Sequence, residues 1–325
     1  MSSKEPVDIE ALLREVRKKI TPQTEGVSVL DFLSNKFTYR SRESWIEALS
    51  DGTLKINGKF VEDYNHILKA GEILSFDVTN LPEPKVDDSW KVLYEDDSVL
   101  MIDKPGDLPV HPAGAFFKNT LWHMLVRQYG QIHIMNRLDR ETSGLVLVAK
   151  NKNAASKLGK QFERRQVRKE YDVVVEGSVP WDEFDARGYM GPAESSLIRK
   201  KFLFTEAENW QEYGKLSART EFSVLRRTQD FTHLHCVLHT GRTHQIRATV
   251  LSLGFPLVGD KIYGVDERFF LSFINGALSA EDEQRLRVSR QALHCSLLEF
   301  RHPESGEQQI FKSSLPKELE ELILN

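Results

Sequence analysis

The 325-residue chain has only two cysteines and no long apolar run, and both features exclude classes of protein. Cys236 and Cys295 are too few for a disulfide framework and lack the spacing of a metal site. Without a stretch of about twenty apolar residues, no membrane span is expected. The first residues mix acids with bases and contain no apolar segment, unlike a secretory signal. These features predict a cytoplasmic protein with reduced thiols and no membrane partner.

The glycine motifs of common nucleotide sites are also missing. No predicted strand is followed by the glycine pattern of a dinucleotide site, and no P-loop occurs. His233, His235 and His239 alternate along one predicted strand, but no carboxylate or thiolate lies at ligand spacing beside them in the sequence. We therefore do not expect a zinc site in this strand.

The charge of the chain is unevenly distributed. Its formal net charge is −4, which on its own disfavours a polyanionic partner. Between Arg137 and Lys169, however, ten Lys and Arg side chains accompany three Asp and Glu, a local balance of +7. This excess fits a solvated basic helix face or a surface that attracts phosphate, and charge alone leaves both interpretations open.

The sequence pattern divides the chain into four segments: an N-terminal extension at 1–26, a small α/β unit at 27–79, a proline-containing linker at 80–90 and a large domain at 91–325. The extension is expected to be a short polar helix and a loop. In the large domain, strand-like segments such as LVLVAK alternate with helical segments such as NAASKLGKQFERRQ, which predicts an α+β domain around a mixed or antiparallel sheet. Residues 178–217 are poorly patterned and are expected to be an irregular insertion that can contain a short hairpin.

The most informative stretch is NRLDRETSGLVLVAK, which begins at Asn136. Asp139 lies between Arg137 and Arg140, shortly before an aliphatic strand that is expected to be buried on both faces. The Thr-Ser-Gly at 142–144 is expected to bond its own backbone and to form a tight bend that points Asp139 outward. Such a carboxylate can be a structural ion pair, a general base or a nucleophile, and the residues alone leave these alternatives open.

A second stretch, HTGRTHQIRATVLSLG, combines a Gly-Arg turn with a predicted helix that carries His244 and Arg247. Arg242 and Arg247 are separated by about 140° around a helix, so one can face phosphate while the other faces a buried acid. An arginine beside Asp139 would lower the pKa of that carboxyl and keep it ionised. In a third stretch, RKEYDVVVEG, a lysine and a tyrosine share one face of a predicted strand. A tyrosine at a pocket wall can stack on a nucleic acid base.

Together these motifs resemble the RluA-type pseudouridine synthases. The family pattern H-R-L-D-x-x-T-S-G, K-x-Y, G-R-T-H-Q-I-R and G-x-P-L/I-x-G-D-x-x-Y is matched in order by NRLDRETSG, KEY, GRTHQIR and GFPLVGDKIYG. KPGDLPVHPAG and ALHCSLLEFRHP match the first and last family segments. The resemblance implies a pseudouridine synthase fold and isomerisation of uridine in structured RNA without a metal or cofactor. Large-subunit ribosomal RNA is the favoured substrate, and transfer RNA is the alternative.

The resemblance also implies roles for individual residues. Three are expected to act in catalysis: Asp139 as the nucleophile that attacks the flipped uridine, Arg247 as its ion-pair partner and Tyr171 packed on the target base. Arg137 is expected to fill the space that the flipped nucleotide leaves. Four are expected to contact RNA: Arg137, Lys169, Arg242 and His244. Asn136 departs from the family pattern, which most often has histidine there. Whether the carboxylate attacks the ribose C1′ or the base is left open.

The small unit is similar to an S4-type RNA-binding module, because LKINGK and LKAGEI match the strand and turn motifs of that family. This similarity implies that Arg40 and Arg42 lie on a helix face that contacts RNA. A small unit that serves only for packing or dimerisation is the alternative. A monomer is the default expectation.

Two other functions are considered for the whole chain. One is an RNA-binding protein without activity, which the complete set of Asp139, Tyr171 and Arg247 disfavours. The other is an enzyme that uses an aspartyl nucleophile on a different substrate, such as a phosphotransferase or a glycoside hydrolase. That function would require a second carboxylate or a metal-binding acid close to Asp139 in the fold.

Overall fold

The computed structural model describes residues 15–37, 41–50, 52–61, 63–77, 83–274 and 276–324. The chain forms two compact units. The first ends at Val86 and also contains Pro109–Gln131, and the second contains Asp87–Leu108 and the residues from Ile132 onward. The chain thus leaves the first unit within the expected linker and returns to it once, and the division into domains stays a prediction.

The first unit contains an antiparallel sheet with the strand order β1-β4-β2-β3 and a core centred on the buried Trp45. Its elements are β1 (Glu15–Lys19), α1 (Val29–Lys36), α2 (Arg42–Ser50), β2 (Leu54–Ile56), β3 (Lys59–Phe60), β4 (Ile73–Asp77) and α3 (Leu121–Tyr129). The expectation of a helix in the extension is wrong for residues 15–19, since β1 pairs with β4 along its whole length. Pairing with a distant strand outweighs a short polar helical pattern. Residues 1–14 lie outside the described residues.

The second unit is built on one mixed sheet. Its main path is β11-β10-β12-β13-β9-β14-β8-β6-β5, with β15 beside β14 and β7 beside β8. The paired strands are antiparallel except β8 and β14, which are parallel. The elements are β5 (Lys91–Glu95), β6 (Val99–Lys104), β7 (His133–Ile134), β8 (Ser143–Ala149), α4 (Lys152–Glu163), β9 (Arg168–Glu176), β10 (Glu183–Pro192), β11 (Phe202–Glu206), a 3-10 helix (Trp210–Leu216), β12 (Ser217–Arg227), β13 (Phe231–Leu238), α5 (Gln245–Ser252), α6 (Arg268–Ile274), α7 (Ala280–Leu286), β14 (Leu293–Arg301), β15 (Gln308–Lys312) and α8 (Lys317–Leu324). The predicted mixed sheet with intervening helices is confirmed.

Strand β8 is buried on both faces, as its aliphatic sequence predicts. Every residue from Ser143 to Ala149 is buried, with β6 paired along one edge and β14 and β7 paired with the two ends of the other edge. Gly144 has φ +110°, and a Cβ at this position would lie 2.2 Å from the carbonyl oxygen of Cys295. Only glycine permits this close approach of the two backbones. β8 is therefore a rigid support for the loop that precedes it.

The insertion at 178–217 contains a hairpin, as its sequence allowed, and has longer strands than an irregular insertion would. β10 and β11 form an antiparallel hairpin, and β10 also pairs with β12. The Gly and Pro residues in β10 interrupt the alternation of apolar and polar side chains, which explains why the sequence pattern did not indicate a strand. The hairpin reaches the helix that carries Arg247, since the Phe204 N–H is 3.3 Å from Ser252 Oγ at the end of α5.

The three alternating histidines do have acidic partners, contrary to the expectation from sequence spacing. The contacts are His233 with Asp172 at 2.7 Å, His235 with Glu170 at 2.9 Å and His239 with Glu221 at 3.1 Å. Sequence spacing missed them because the carboxylates lie on the neighbouring strands β9 and β12. In the part of the chain that the structure describes, no group of three or more His, Cys, Asp or Glu could hold a metal ion. No helix there is both long and apolar enough to cross a membrane.

Candidate active site

Asp139 lies in the turn that leads into β8. The Thr142 N–H donates to the Asp139 carbonyl at 3.1 Å and closes the turn. At the start of the same loop, Asn136 Oδ1 accepts the Leu147 N–H at 2.8 Å, and Asn136 Nδ2 donates to the Leu145 carbonyl at 3.1 Å. Asn136 thus pairs with β8 through its side chain as a strand residue would through its backbone. This contact gives the departure from the common histidine a structural role.

Side chains near β14 hold the loop from the other direction. Gln291 Nε2 donates to Thr142 Oγ1, and Ser143 Oγ lies 2.9 Å from His294 Nδ1. Gln291 also helps to lower the pKa of the Asp139 carboxyl. The hydroxyls therefore bond distant side chains, where the sequence predicted bonds to their own backbone. The result for Asp139 is the predicted one, since the bend is fixed on both sides.

A buried lysine bonds the backbone of the same loop. Lys104 Nζ donates to the carbonyls of Pro105 at 2.7 Å, Leu108 at 2.9 Å and Arg140 at 3.2 Å. Only 1% of Lys104 is exposed, and burial is the main cause that lowers its pKa to about 7. The ammonium ties the end of β6 to the residue that follows Asp139.

Arg247 forms ion pairs with two carboxylates, those of Asp139 and Asp260. Its Nη1 donates to Asp139 Oδ2 at 2.6 Å, while Nε and Nη2 donate to the two oxygens of Asp260 at 2.6 and 2.8 Å. Asp260 Oδ1 also accepts the N–H groups of Ile262 at 2.8 Å and Tyr263 at 2.9 Å. The Asp139 side chain is 34% exposed, compared with 6% for Arg247 and 0% for Asp260. Of these three residues, Asp139 is therefore the one that a substrate can reach.

The charges and hydrogen bonds around Asp139 keep its carboxylate ionised. Burial alone would raise the pKa of the Asp139 carboxyl, but the charge of Arg247, the neighbouring His244 and hydrogen bonds from Arg247 and Gln291 outweigh it. The pKa of Asp139 consequently lies below its ordinary value. Asp260 follows the same pattern, since burial raises its pKa and the Arg247 charge and hydrogen bonds lower it further. Both carboxyls are anionic at neutral pH.

The Gly-Arg turn and helix α5 position Arg247 through a buried amide. Gln245 Oε1 accepts from Thr240 Oγ1 at 2.8 Å and from the Arg242 N–H at 3.0 Å. Gln245 Nε2 donates to the Arg219 carbonyl at 3.1 Å and to Thr220 Oγ1 at 2.8 Å. All four bonding positions of the amide are thereby used. They fix the start of the helix against β12.

His244 lies immediately before α5 with a left-handed backbone at φ +56°. Its Nδ1 is 3.0 Å from the Tyr263 hydroxyl, and its Nε2 is 3.9 Å from Asp139 Oδ1. Burial lowers the pKa of His244 to about 4, so the ring is neutral at neutral pH. The Arg247 guanidinium also lies over the Tyr263 ring, 4.8 Å from its centroid. Tyr263 thus packs against both residues that face Asp139.

Tyr171 is buried on β9 and lies opposite Cys295 of the neighbouring strand β14. Burial, Cys295 and the Asp139 charge all raise the pKa of Tyr171 well above its ordinary value, so the phenol stays protonated. Two residues earlier, Lys169 Nζ lies 3.5 Å from the position that a Cβ on Gly241 would occupy. Lys169 therefore reaches the Gly-Arg turn that precedes α5.

The remaining predicted RNA contacts are less closely grouped. Arg242 Nε donates to the Ser217 carbonyl at 2.9 Å, and Arg137 is exposed on the Asp139 loop. Arg42 belongs to the first unit, where it is exposed and bonds Asp31 at 2.6 Å. Arg40 lies outside the described residues. The structure brings together the following predicted residues in the second unit: Asp139, Arg247, His244, Tyr171, Lys169 and Arg242.

Known proteins share both the sequence and this arrangement of elements. The family described as RNA pseudouridylate synthase matches residues 98–252. An uncharacterized RNA pseudouridine synthase of Bacillus subtilis is 33% identical over 306 residues, which is 90% of each chain. The ribosomal large subunit pseudouridine synthase D of Vibrio cholerae is 31% identical over 323 residues, 95% of this chain and 94% of that one. The chain belongs to the RNA pseudouridine synthase family.

A solved structure shows the same fold as the synthase. Human RNA Pseudouridylate Synthase Domain Containing 1 superposes with a TM-score of 0.55 and 22% identity over 72% of this chain and 86% of that chain. At this identity the likeness concerns the fold alone, and it confirms the pseudouridine synthase fold with its mixed sheet. By family membership the synthase is an isomerase that forms pseudouridine in RNA.

Sequence reasoning missed four residues that build the site of the synthase: Lys104, Asp260, Tyr263 and Gln291. Asp260 and Tyr263 lie in GFPLVGDKIYG, which was recognised only as a family pattern. The sequence did offer one signal for Asp260, namely a single acid inside an apolar segment. A carboxylate that is buried there requires a cationic partner. The lysine that ends the aliphatic strand VLMIDK gave the corresponding signal for Lys104. Gln291 gave none, since its partners are distant in sequence.

Proposed function

We propose that the synthase converts a uridine of large-subunit ribosomal RNA to pseudouridine, with Asp139 as the nucleophile. The observation that supports this most directly is the 2.6 Å contact between Arg247 Nη1 and Asp139 Oδ2, with Arg247 itself anchored on buried Asp260. This arrangement supplies an ionised carboxylate in a fixed position with access to substrate, which covalent catalysis requires. The Vibrio cholerae relative is named for the large ribosomal subunit, which supports this choice of RNA.

The surroundings of Asp139 disfavour the hydrolase alternative. Glycoside hydrolysis uses two carboxyl groups that flank the scissile bond. Asp260 shares Arg247 with Asp139, but its side chain is fully buried and accepts four N–H donors. Its oxygens are therefore committed to the protein and cannot activate water. Isomerisation needs only the one accessible acid.

The other site residues would act on a uridine that has left its helix. Extruding a base costs a few kcal/mol of stacking, which phosphate contacts and a replacing side chain can offset. Arg137 is exposed on the same loop as Asp139 and is suited to fill the vacated space. Tyr171 supplies an uncharged aromatic ring, its hydroxyl protonated, that would pack against the extruded base, and His244 supplies a neutral ring beside Asp139.

We further assign RNA binding to the S4-like segment at 27–79, followed by the linker at 80–90 and the catalytic domain at 91–325. The first unit has two helices followed by short antiparallel strands, which agrees with the element order of an S4-type module. Arg40 and Arg42 of this segment would contact the RNA backbone, together with the exposed cations of β1, which precedes the segment. We expect a cytoplasmic monomer, where the buried free thiols of Cys236 and Cys295 stay reduced.

Asp139→Asn tests the nucleophile without a change of side-chain shape. Tritium release from a large-subunit ribosomal RNA transcript that carries 5-tritiated uridine should fall below detection, because the amide cannot attack the nucleoside. Affinity for the same transcript should be retained, since the substitution removes a negative charge and no cation. The matched control is Asp182→Asn, whose carboxylate is 88% exposed and pairs with Arg227. This control should release tritium at the wild-type rate.

Two outcomes would contradict parts of the proposal separately. Tritium release by Asp139→Asn at the wild-type rate would show that Asp139 is not the nucleophile. Release by the wild type from a transfer RNA transcript, but none from the ribosomal transcript, would retain the chemistry and overturn the choice of RNA.

A further inference from the structure

A basic groove lies on the second unit between the end of α4, the 3-10 helix and the strands β9, β12 and β13. Its volume is about 460 Å³, and its lining includes the cations Arg165, Arg168, Lys169 and Arg219. Two of these are neutralised by carboxylates. Arg168 contacts Glu170 at 2.5 Å, and Arg219 bonds Asp185. The charge left to act on a ligand therefore comes from Arg165 and Lys169, with Arg242 close by.

These three cations lack acidic partners. Within the described residues, neither Arg165, Lys169 nor Arg242 forms an ion pair, and Arg242 Nε bonds only the Ser217 carbonyl. They also repel one another. Burial lowers the pKa of Lys169, and the charges of Arg165 and Arg242 lower it further. Burial and the Arg165 charge lower the pKa of Arg242 in the same direction. The three like charges oppose one another in the folded chain, and an anion placed among them would offset this repulsion.

The backbone of Arg165 gives an independent reason to assign a function to the group. The Arg165 N–H donates to the Phe162 carbonyl at 3.1 Å, and the Gln166 N–H donates to the Gln161 carbonyl at 2.8 Å. This pair of bonds ends α4 in the Schellman arrangement, in which the position of residue 165 is left-handed and usually glycine. Arg165 has φ +56°. An arginine in place of glycine here is strained, and such strain is found where the side chain is needed.

We propose that Arg165, Lys169 and Arg242 form a subsite for a phosphodiester of the RNA backbone next to the target uridine. Lys169 and Tyr171 lie on one face of β9, about 6.6 Å apart along the strand. A phosphate bound at Lys169 is consequently within roughly one nucleotide of a base held at Tyr171. The role of Arg165 is to hold the RNA backbone as the base is extruded. The placement of this subsite next to the target uridine rests on the proposed function. That it binds a phosphate follows from the three cations alone.

Arg165→Gly is a test in which the fold is not at risk, because glycine is the preferred residue at a left-handed helix end. Its melting temperature should equal or exceed that of the wild type. The binding probe is a fluorescein-labelled oligouridylate, titrated by anisotropy at about 50 and about 200 mM KCl. Each phosphate contact on a single strand makes affinity fall with salt by a log–log slope of about 0.7. The ratio of wild-type to Arg165→Gly affinity should therefore be about threefold smaller at the higher salt concentration than at the lower one. Arg164→Ala removes the same charge one residue outside the groove and should leave the salt slope unchanged, and Arg165→Lys should retain most of it.

The site and the proposed function can fail separately. If Arg165→Gly binds the oligouridylate like the wild type at both salt concentrations, or loses no more than Arg164→Ala, the subsite is wrong. If Arg165→Gly weakens binding as expected, the subsite stands, even if the wild type releases no tritium from ribosomal RNA. With active wild type, Arg165→Gly should raise KM for the RNA and leave kcat unchanged, because the contact is to the backbone and not to the reacting base. A fall in kcat alone would contradict this role.

Discussion

Asp260→Asn should separate the anchoring of Arg247 from the chemistry of Asp139. Four N–H donors converge on the Asp260 carboxylate: Arg247 Nε, Arg247 Nη2 and the backbone N–H groups of Ile262 and Tyr263. An amide offers one acceptor oxygen and one donor group. If its oxygen keeps the position of Oδ1 with three donors, its nitrogen must oppose Arg247 Nε. At least one bond becomes a contact between two donors.

The size of the effect follows from burial. Asp260 is completely buried and Arg247 is 6% exposed, so the guanidinium would lose a charge partner that water cannot replace. Breaking a buried ion pair by altering one partner costs about 3–5 kcal/mol, a large part of a typical stability of about 5–15 kcal/mol. Misplacing a catalytic group by about 1 Å costs roughly 100-fold in rate, and we expect a loss of this order in tritium release. Asp139 would still be present, but its partner would no longer be fixed.

The assay combines urea unfolding, with comparison of the slopes, and tritium release at saturating RNA on the same samples. Asp266→Asn is the matched control. Asp266 also binds an arginine through both oxygens and accepts a backbone N–H, but its partner Arg268 is 75% exposed. The control should unfold at the wild-type midpoint, because exposed ion pairs contribute little. An Asp260→Asn variant with the wild-type midpoint and rate would refute the view that Asp260 holds Arg247 in place.

Three further predictions concern the support of the Asp139 loop. Gly144→Ala should destabilise the fold by about 3 kcal/mol or more, because its methyl group would collide with the Cys295 carbonyl. Gly191→Ala, with no atom within 4 Å of the added Cβ, should melt like the wild type. Asn136→Ala should lower the free energy of unfolding by about 2 kcal/mol through the loss of two bonds to β8, and should slow tritium release at saturating RNA. Burial lowers the pKa of Lys104 to about 7 in the folded state, whereas an unfolded lysine keeps its proton up to about pH 10.4. The unfolded chain thus binds more protons between these values, so stability in urea should rise from about pH 7 to about pH 9, and rise less in Lys104→Met.

Each of these expectations can fail on its own. Equal melting temperatures for the two glycine variants would show that β8 and β14 can separate at no cost. Wild-type turnover by Asn136→Ala would show that the loop does not depend on its contact with β8. Parallel pH profiles for the wild type and Lys104→Met would assign the pH dependence to another group.

The sequence predicted the parts of the site whose geometry depends on short spacing. The aliphatic run LVLVA predicted a strand buried on both faces, and β8 has that burial. Asp139 and Arg247 are 108 positions apart in the sequence, so no local pattern includes both. Arg247 was identified as the partner of Asp139 through the family resemblance. Asp260 was missed for a related reason, because its role depends on where Arg247 lies after folding.

Errors in the predicted fold have the same physical origin. β1 was expected to be helical because its own residues are polar, but five pairs with β4 determine its conformation. Glycine and proline interrupt the pattern of β10, so the sequence indicated at most a short hairpin there, whereas β10 is a strand of 10 residues held between β11 and β12. The histidines of β13 were assigned no acidic partners because those carboxylates come from strands elsewhere in the chain. Local pattern is a weak guide wherever cross-strand contacts decide the outcome.

The parallel pairing of β8 with β14 also governs how the protein is made. Ser143 and His294, which join these strands, are 151 positions apart, so the ribosome completes β8 long before its parallel neighbour β14 exists. Throughout that interval the Ser143–Gly144 end of β8 and one edge of β9 lack their β14 partner, and an open strand edge is a template for pairing with other chains. A nascent chain that stops before residue 293 would lack β14, so its sheet would keep unpaired strand edges and its catalytic loop would not be fully supported. Premature termination in this gene should therefore yield aggregates, and not a shortened enzyme.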